Sequence, residues 1–375
     1  MTAAGARSAH TLYGVEGSYY AAKIRSYLSA KGIPFIEIQA DRTAFNEVIL
    51  PRVGYAVVPV LLTPDGETLQ DTAAMVDVLE QRYPAPALVP ASPGRCMATR
   101  LLEFYADEWL KLPALYYRWH YDSAFAIDMM GRNNDPDRPP ADQRRVGARI
   151  ASLFQSWPEH LGANESTHAA VEAGLLEFLR VLEVHFGAHA FVLGDAPTLG
   201  DCALAGPMYA HLYHDPYSGR LLREQAPLVC DWVKRMRGIT AVQPDASSAA
   251  DEVPETIAAA LRLLSADFVP VLQTAIPQLQ AWLEEHPDAP VPRYAGEHTY
   301  TLGRGRPYAA DGVRSVHPFE QWKLQRVVDA AAVFTGAERA EAERMLDVLG
   351  ASELLQIALP RRLARRDFQL VREPV

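Results

Sequence analysis

Residues 57–72 read Val57-Val58-Pro59-Val60-Leu61-Leu62-Thr63-Pro64-Asp65-Gly66-Glu67-Thr68-Leu69-Gln70-Asp71-Thr72, and this stretch decides the fold. Its first six residues are apolar and β-branched enough for a buried strand. Pro59 sits near the strand's start, where a missing N–H is easiest to tolerate. Thr63-Pro64-Asp65-Gly66 is turn chemistry, with Pro presetting φ and Gly free to take a positive φ. Glu67-Thr68-Leu69 returns as a short strand. Asp71 or Thr72 then caps a helix whose apolar positions Met75, Val76, Leu79 and Tyr83 fall at helical spacing. The first N–H groups of that helix can meet an anion.

Upstream, Thr11-Leu12-Tyr13-Gly14 is a short strand. Ser18 opens a helix to about Lys31, with Tyr20, Ile24, Tyr27 and Leu28 on one face. Gly32 follows at the position where the left-handed region is wanted. Pro34 to Ile38 is a second strand, and a short helix is expected from Thr43 to Leu50. The order is β-α-β, short helix, β-β-α.

That order, with Ser18 at the first helix N-terminus, Val58-Pro59 and Asp71-Thr72, resembles the thioredoxin-like domain of the cytosolic glutathione S-transferases. A second match lies at Gly194 to Leu212, GDAPTLGDCALAGPMYAHL. It is similar to the family's helical-domain signature, in which a Thr-x-x-Asp cap, Thr198 and Asp201 here, starts a buried helix. The resemblance covers roughly residues 10 to 240. It implies a serine-type, bacterial-like member with a C-terminal extension.

The resemblance implies roles for these residues. Ser18 would hold the glutathione sulfur. A free thiol has a pKa of about 8.5, and lowering it by two units needs about 2.7 kcal/mol. A hydroxyl donating to the thiolate supplies about 1.5–3 kcal/mol, and a helix N-terminus about 0.3–1 kcal/mol. The pair suffices without a metal or a general base. The plainer reading of Ser18 is an N-cap, which any helix favours; Tyr13, Tyr19 and Tyr20 are alternative hydroxyls. Pro59 is expected to be cis, with the Val58 backbone pairing with the cysteinyl unit. Asp71 and Thr72 would bind the γ-glutamyl amine and carboxylate, Thr standing where the family has Ser. The segment Leu50-Pro51-Arg52-Val53-Gly54-Tyr55-Ala56-Val57 departs from the family pattern, and Arg52 is the candidate for the glycyl carboxylate, with Arg42 and Lys31 behind it.

Tyr19, Tyr116, Trp119 and His120 are the candidate lining of a co-substrate pocket for a small hydrophobic or aromatic electrophile. The same aromatics also suit a core or a subunit contact. His211 and His214 resemble a metal pair without a third ligand, so no metal is expected. Gly303-Arg304-Gly305 lacks the strand, helix and acidic residue of a dinucleotide fingerprint.

At 375 residues the chain suits two or three domains. Its 49% hydrophobic and 22% charged content is that of a globular protein, so wholesale disorder is not expected. No apolar run reaches about 18 residues, so no membrane span is expected. The N-terminus lacks a secretory apolar segment, and Cys96, Cys202 and Cys230 are too scattered for a disulfide framework; both fit a cytoplasmic location. The net charge of −10 argues against nucleic acid as a partner and requires any anion site to use local donors.

The expected organisation is a tail at 1–9, an α/β domain at 10–83, a proline-rich linker at 84–93, an all-helical domain at 94–239, a linker at 240–254 and a mostly helical extension at 255–375. Helices are expected at Arg95–Leu112, Pro113–Met130, Ala141–His160, Thr167–Phe186, Thr198–Leu212 and Pro227–Arg237. In the extension, Glu255–Glu285 reads as two helices, the second interrupted by Pro270 and Pro277. His298 to Pro307 reads as a hairpin, and the tail with Arg361, Arg362, Arg365 and Arg366 as a solvated helix face. The function expected is thiolate attack of glutathione on a small apolar electrophile by conjugation, ether cleavage or dehalogenation, in a homodimer. The alternative is a non-catalytic binding protein on the same fold.

Overall fold

The structure, a computed structural model, describes residues 9–241 and 251–374. Most of the expected tail and the centre of the 240–254 linker lie outside the described residues.

The N-terminal unit is built on β1 (His10–Gly14), β2 (Phe35–Gln39), β3 (Val60–Leu62) and β4 (Thr68–Gln70), in the order β2-β1-β3-β4. β1 pairs parallel with β2 and antiparallel with β3, and β3 pairs antiparallel with β4. Alternation along the strands sends side chains to two faces. Leu12, Leu61 and Leu69 pack with Ile24 and Leu28 of α1 (Tyr19–Lys31) and with Met75 and Leu79 of α4 (Thr72–Arg82). Tyr13 and Val60 face the other way, onto α2 (Arg42–Ala44), a π-helical turn and α3 (Leu50–Val53). Gly32, at φ 65°, closes α1, as its place after Lys31 required.

A helical unit follows: α5 (Pro93–Glu108), α6 (Lys111–His120), α7 (Ser123–Asn134), α8 (Pro140–Ala151), α9 (Trp157–His160), α10 (His168–Phe186), α11 (Leu199–Pro207), α12 (Pro216–Gln225) and α13 (Pro227–Arg237). This is a thioredoxin-like α/β domain followed by an all-α domain. Every residue of α11 is buried, and its N-terminus is satisfied by the Thr198–Asp201 capping box. Asp201 also accepts from Val192 N at 2.9 Å and from Trp232 Nε1 at 3.0 Å, so one carboxylate ties three segments together.

Helix limits differ from expectation where partners are distant. The helix expected over Pro113–Met130 breaks at Tyr121-Asp122, because Asp122 accepts from the Tyr217 N–H and caps α12. Pro113 does not begin a helix but lies in the first turn of α6, where no N–H is needed.

The extension holds α14 (Glu255–Glu285), the hairpin β5 (Glu297–Leu302) and β6 (Ala310–Ser315), α15 (Pro318–Val333), α16 (Gly336–Val348), and a final hairpin of β7 (Leu363–Arg366) and β8 (Gln369–Arg372). Two expectations are corrected. α14 is one helix through both prolines: Ile257, Leu261, Phe268, Leu272, Ile276, Leu279 and Leu283 bury one continuous face. At about 1.5–3 kcal/mol per buried side chain, that face outweighs about 3 kcal/mol per proline. The arginine-rich tail is a strand rather than a helix: Leu363 is buried and exchanges both backbone bonds with the Gln325 side chain of α15. Among the described residues no helix is long and apolar enough to cross a membrane.

Candidate functional site

Three local features converge at one end of the sheet. Ser18 is the N-cap of α1, half-buried, with Oγ accepting from Ala21 N at 3.3 Å. Its hydroxyl hydrogen has no acceptor among the described residues, so it can donate outward. Tyr19 and Tyr20 are spent: their hydroxyls donate to the carbonyls of Ala106 and, at 2.9 Å, Asp107 on α5. Burial raises the Tyr19 pKa well above its ordinary value, so it remains a neutral donor.

The second feature is the Val58–Pro59 peptide bond, which is cis. Val60 pairs with Gln70, a register that sets Pro59 beside Asp71. The third is the start of α4. Asp71, its N-cap, has φ 68° and ψ 124°, a left-handed-side conformation that costs a non-glycine residue on the order of 1–3 kcal/mol. Its Oδ1 accepts from Ala73 N at 2.9 Å and Ala74 N at 3.2 Å. Burial pushes the Asp71 pKa up, but Lys323 and Arg365 outweigh it, so the group is held below the usual carboxylate range. Thr72 is 2% exposed, and its buried Oγ1 has no hydrogen-bond partner among the described residues. Such an orphan is uncommon and marks a place where a polar partner belongs.

The caps Ser18 and Asp71 and the cis bond at Pro59 agree with the sequence reading; two supports of these elements were not readable in it. Arg118 of α6 donates from Nη1 to Gly17 O at 3.0 Å and pins the loop in front of Ser18. It is itself fixed by Asp215, at 2.6 Å and 2.8 Å, and by Ala210 O at 2.8 Å. His211 Nε2 lies 2.9 Å from Arg118 Nη1, and burial with that cation lowers its pKa to about 3. His211 is therefore a neutral acceptor rather than half of a metal pair. Among the described residues no group of three His, Cys, Asp or Glu side chains could hold a metal.

The other support is a buried ion network. Lys23 of α1 meets Glu103 at 2.9 Å and Asp107 at 2.7 Å on α5. Lys323 of α15 meets Asp107 at 2.9 Å and Asp71 at 3.5 Å. Burial alone would lower the Lys323 pKa; Asp107 and Asp71 raise it above the ordinary lysine value. The extension thus reaches the residue that caps α4.

Other candidates fall elsewhere. Arg52 is exposed, and its Nη1 donates to Thr68 Oγ1 at 3.4 Å, at the opposite end of β4 from Asp71. Arg42 pairs with Asp135 at 3.2 Å, and Lys31 is spent on Tyr83 O, Pro86 O and Glu80. Tyr116 stacks on His120 at 4.9 Å and donates to Glu172 Oε1 of α10 at 2.7 Å. These two lie on the α6 face turned to α10, and the structure does not bring them to Ser18; Arg118 holds that place. Trp119 is half-buried, with its Nε1 unpartnered among the described residues.

Comparison with known proteins agrees with this architecture. The family model described as glutathione S-transferase, N-terminal domain, matches residues 12–87, and that for the C-terminal domain matches residues 146–239. No curated protein matches the chain. Among solved structures, a glutathione S-transferase from Rhodospirillum rubrum F11 is 20% identical, covering 65% of this chain and 94% of that chain with a TM-score of 0.41. One from Methylobacterium radiotolerans JCM 2831, in complex with glutathione sulfonate, is 20% identical over 65% of this chain and 100% of that chain, TM-score 0.39. The β-etherase LigF from Sphingobium sp. strain SYK-6 is 17% identical over 62% and 96%, TM-score 0.44. With both of its domains matched in order, the chain belongs to the glutathione S-transferase superfamily.

Proposed function

We propose that this protein is a glutathione-dependent transferase that activates the glutathione thiol at Ser18 for attack on a small apolar electrophile. The observation that carries the reading is the convergence, at one end of the sheet, of a serine O–H at the start of α1 with an ionised Asp71 and Thr72 at the start of α4, the serine hydrogen and Thr72 Oγ1 having no partner among the described residues. The two helix ends suit the two ends of the molecule. A thiolate beside Ser18 gains the hydroxyl's hydrogen bond and the partial positive charge of α1. The γ-glutamyl ammonium pairs with Asp71, and the carboxylate beside it accepts from Thr72 Oγ1. The Val58 main chain takes the cysteinyl unit as an added strand. In the reaction, the sulfur forms a bond to the electrophilic carbon as the leaving group departs with the bonding pair. Conjugation, ether cleavage and dehalogenation share that step.

Calorimetric titration with glutathione and turnover with an aromatic halide, for wild type and Ser18→Ala, test the reading. Binding in both with turnover lost in the variant supports it. One observation favours a second reading, binding without turnover: Ser18 Oγ already serves as the α1 cap. Equal turnover, or none in either protein despite binding, would favour that reading.

A further inference from the structure

The two matched family domains end at residue 239, yet a side chain far beyond them reaches the start of α4. Arg365 lies on β7, two residues from buried Leu363 and therefore on the same inward face. Its Nη2 donates to Gln70 Oε1, one residue before Asp71. The hairpin carrying it is docked by its turn: Phe368 packs beside Tyr55, whose hydroxyl donates to Phe368 O at 2.9 Å and lies 3.1 Å from Gln70 Oε1.

Arg365 differs from Arg361 and Arg362 in one respect, and from exposed Arg366 in being half-buried. Arg361 pairs with Glu284 at 3.1 Å, and Arg362 with Asp329 at 2.6 Å and Glu373 at 3.0 Å. Arg365 makes no ion pair among the described residues. It is half-buried, lies 5.4 Å from the centroid of Phe319, and rests on a neutral amide oxygen. A guanidinium has five N–H donors, and one acceptor leaves most of them for an anion. Asp71 is near enough for the Arg365 charge to favour its carboxylate form, yet no carboxylate among the described residues comes within ion-pair distance of the guanidinium, so its remaining N–H groups are open to an anion. Two residues on from Gln70, Thr72 Oγ1 is buried with no partner among the described residues, and α4 begins there with its N-terminal N–H groups.

We propose that Arg365, supplied by the C-terminal extension, is the ligand-binding residue that receives the α-carboxylate of the γ-glutamyl unit. The proposal rests on the glutathione reading above. Asp71 takes the ammonium of that unit, and Arg365 joins Thr72 in receiving its carboxylate, so the zwitterionic end is read by two side chains from the α/β domain and one from the extension. The extension is then part of the site and selects ligands with a free amino-acid end.

The test is calorimetric binding to the full chain of glutathione and of its analogue lacking only the α-carboxylate, γ-aminobutyryl-cysteinyl-glycine, for wild type, Arg365→Gln and Arg365→Lys. Arg365→Gln is expected to weaken glutathione about 10- to 100-fold, the range for a charge-assisted hydrogen bond. It should leave analogue binding unchanged, and Arg365→Lys should recover part of the loss. Thermal midpoints of the three proteins report whether the hairpin stays docked. Equal losses for both ligands would make Arg365 a structural tie only and overturn the proposal. So would wild-type affinity in Arg365→Gln, with the glutathione reading left standing. Wild type that binds neither ligand would remove both readings.

Discussion

Lys323 Nζ stands 3.5 Å from Asp71 Oδ1, an ion pair that joins the extension to the N-cap of α4 in the candidate ligand site. The same ammonium meets Asp107 at 2.9 Å, and Asp107 also holds Lys23. The α/β domain, the helical domain and the extension therefore share one buried set of charges.

Lys323→Met removes the cation and leaves two carboxylates short of a partner. The expected loss is about 3–5 kcal/mol, the range for breaking a buried pair. The Asp71 pKa is depressed, so its contribution is complete above the unfolded value of about 3.9 and is lost as pH falls through the lower folded value. The variant's deficit in urea unfolding is therefore largest near neutral pH and narrows in acid. A loss under about 1 kcal/mol at pH 7 would show that the network is not what holds the extension in place.

Thr72→Val keeps the shape of the side chain and removes the orphan hydroxyl. Stability should hold or rise by about 1 kcal/mol, since a buried unsatisfied group is removed. Glutathione affinity should fall about 5- to 10-fold, the worth of one hydrogen bond. Urea midpoints and calorimetry read the two effects separately; loss of stability with unchanged affinity would make Thr72 a packing residue.

Asp201 gives the opposite pH sign. Burial raises its pKa to about 6 although Val192, Thr198 and Trp232 donate to it. Its contribution is fully present below about 3.9 and is lost as pH rises through about 6. Asp201→Asn turns an N–H toward these donors and should cost about 1–3 kcal/mol at pH 7. The gap between wild type and variant should be wider at pH 4. Urea midpoints at pH 4 to 7 test this, and parallel profiles would contradict it.

What was legible in the sequence was local. Ser18, Asp71 and Thr198 are caps, and Gly32 is a helix stop; each acts within four residues of itself. The strands followed from β-branched runs between turn residues. What was not legible depends on distant partners. Arg118 reads as one charge in the run Tyr116-Tyr117-Arg118-Trp119, and its role comes from Gly17, 101 residues away. Lys323 and Arg365 carry no motif, because their meaning lies in Asp71 and Gln70 across the fold. Pro270 and Pro277 were read by their local cost, which the buried face of α14 overrides. Arg52 has the charge and the proximity in sequence to suit a carboxylate, but the turn of α3 sends it to Thr68.

The most direct test of sulfur activation is the pKa of the bound glutathione thiol, followed by thiolate absorbance against pH in wild type and Ser18→Ala. With a hydroxyl and a helix N-terminus acting together, the wild-type value should fall about two units below the free value of about 8.5. In Ser18→Ala it should return at least about one unit toward that value, leaving only the helix contribution. A wild-type thiol that titrates as it does free in water, or an unchanged depression in the variant, would contradict the account.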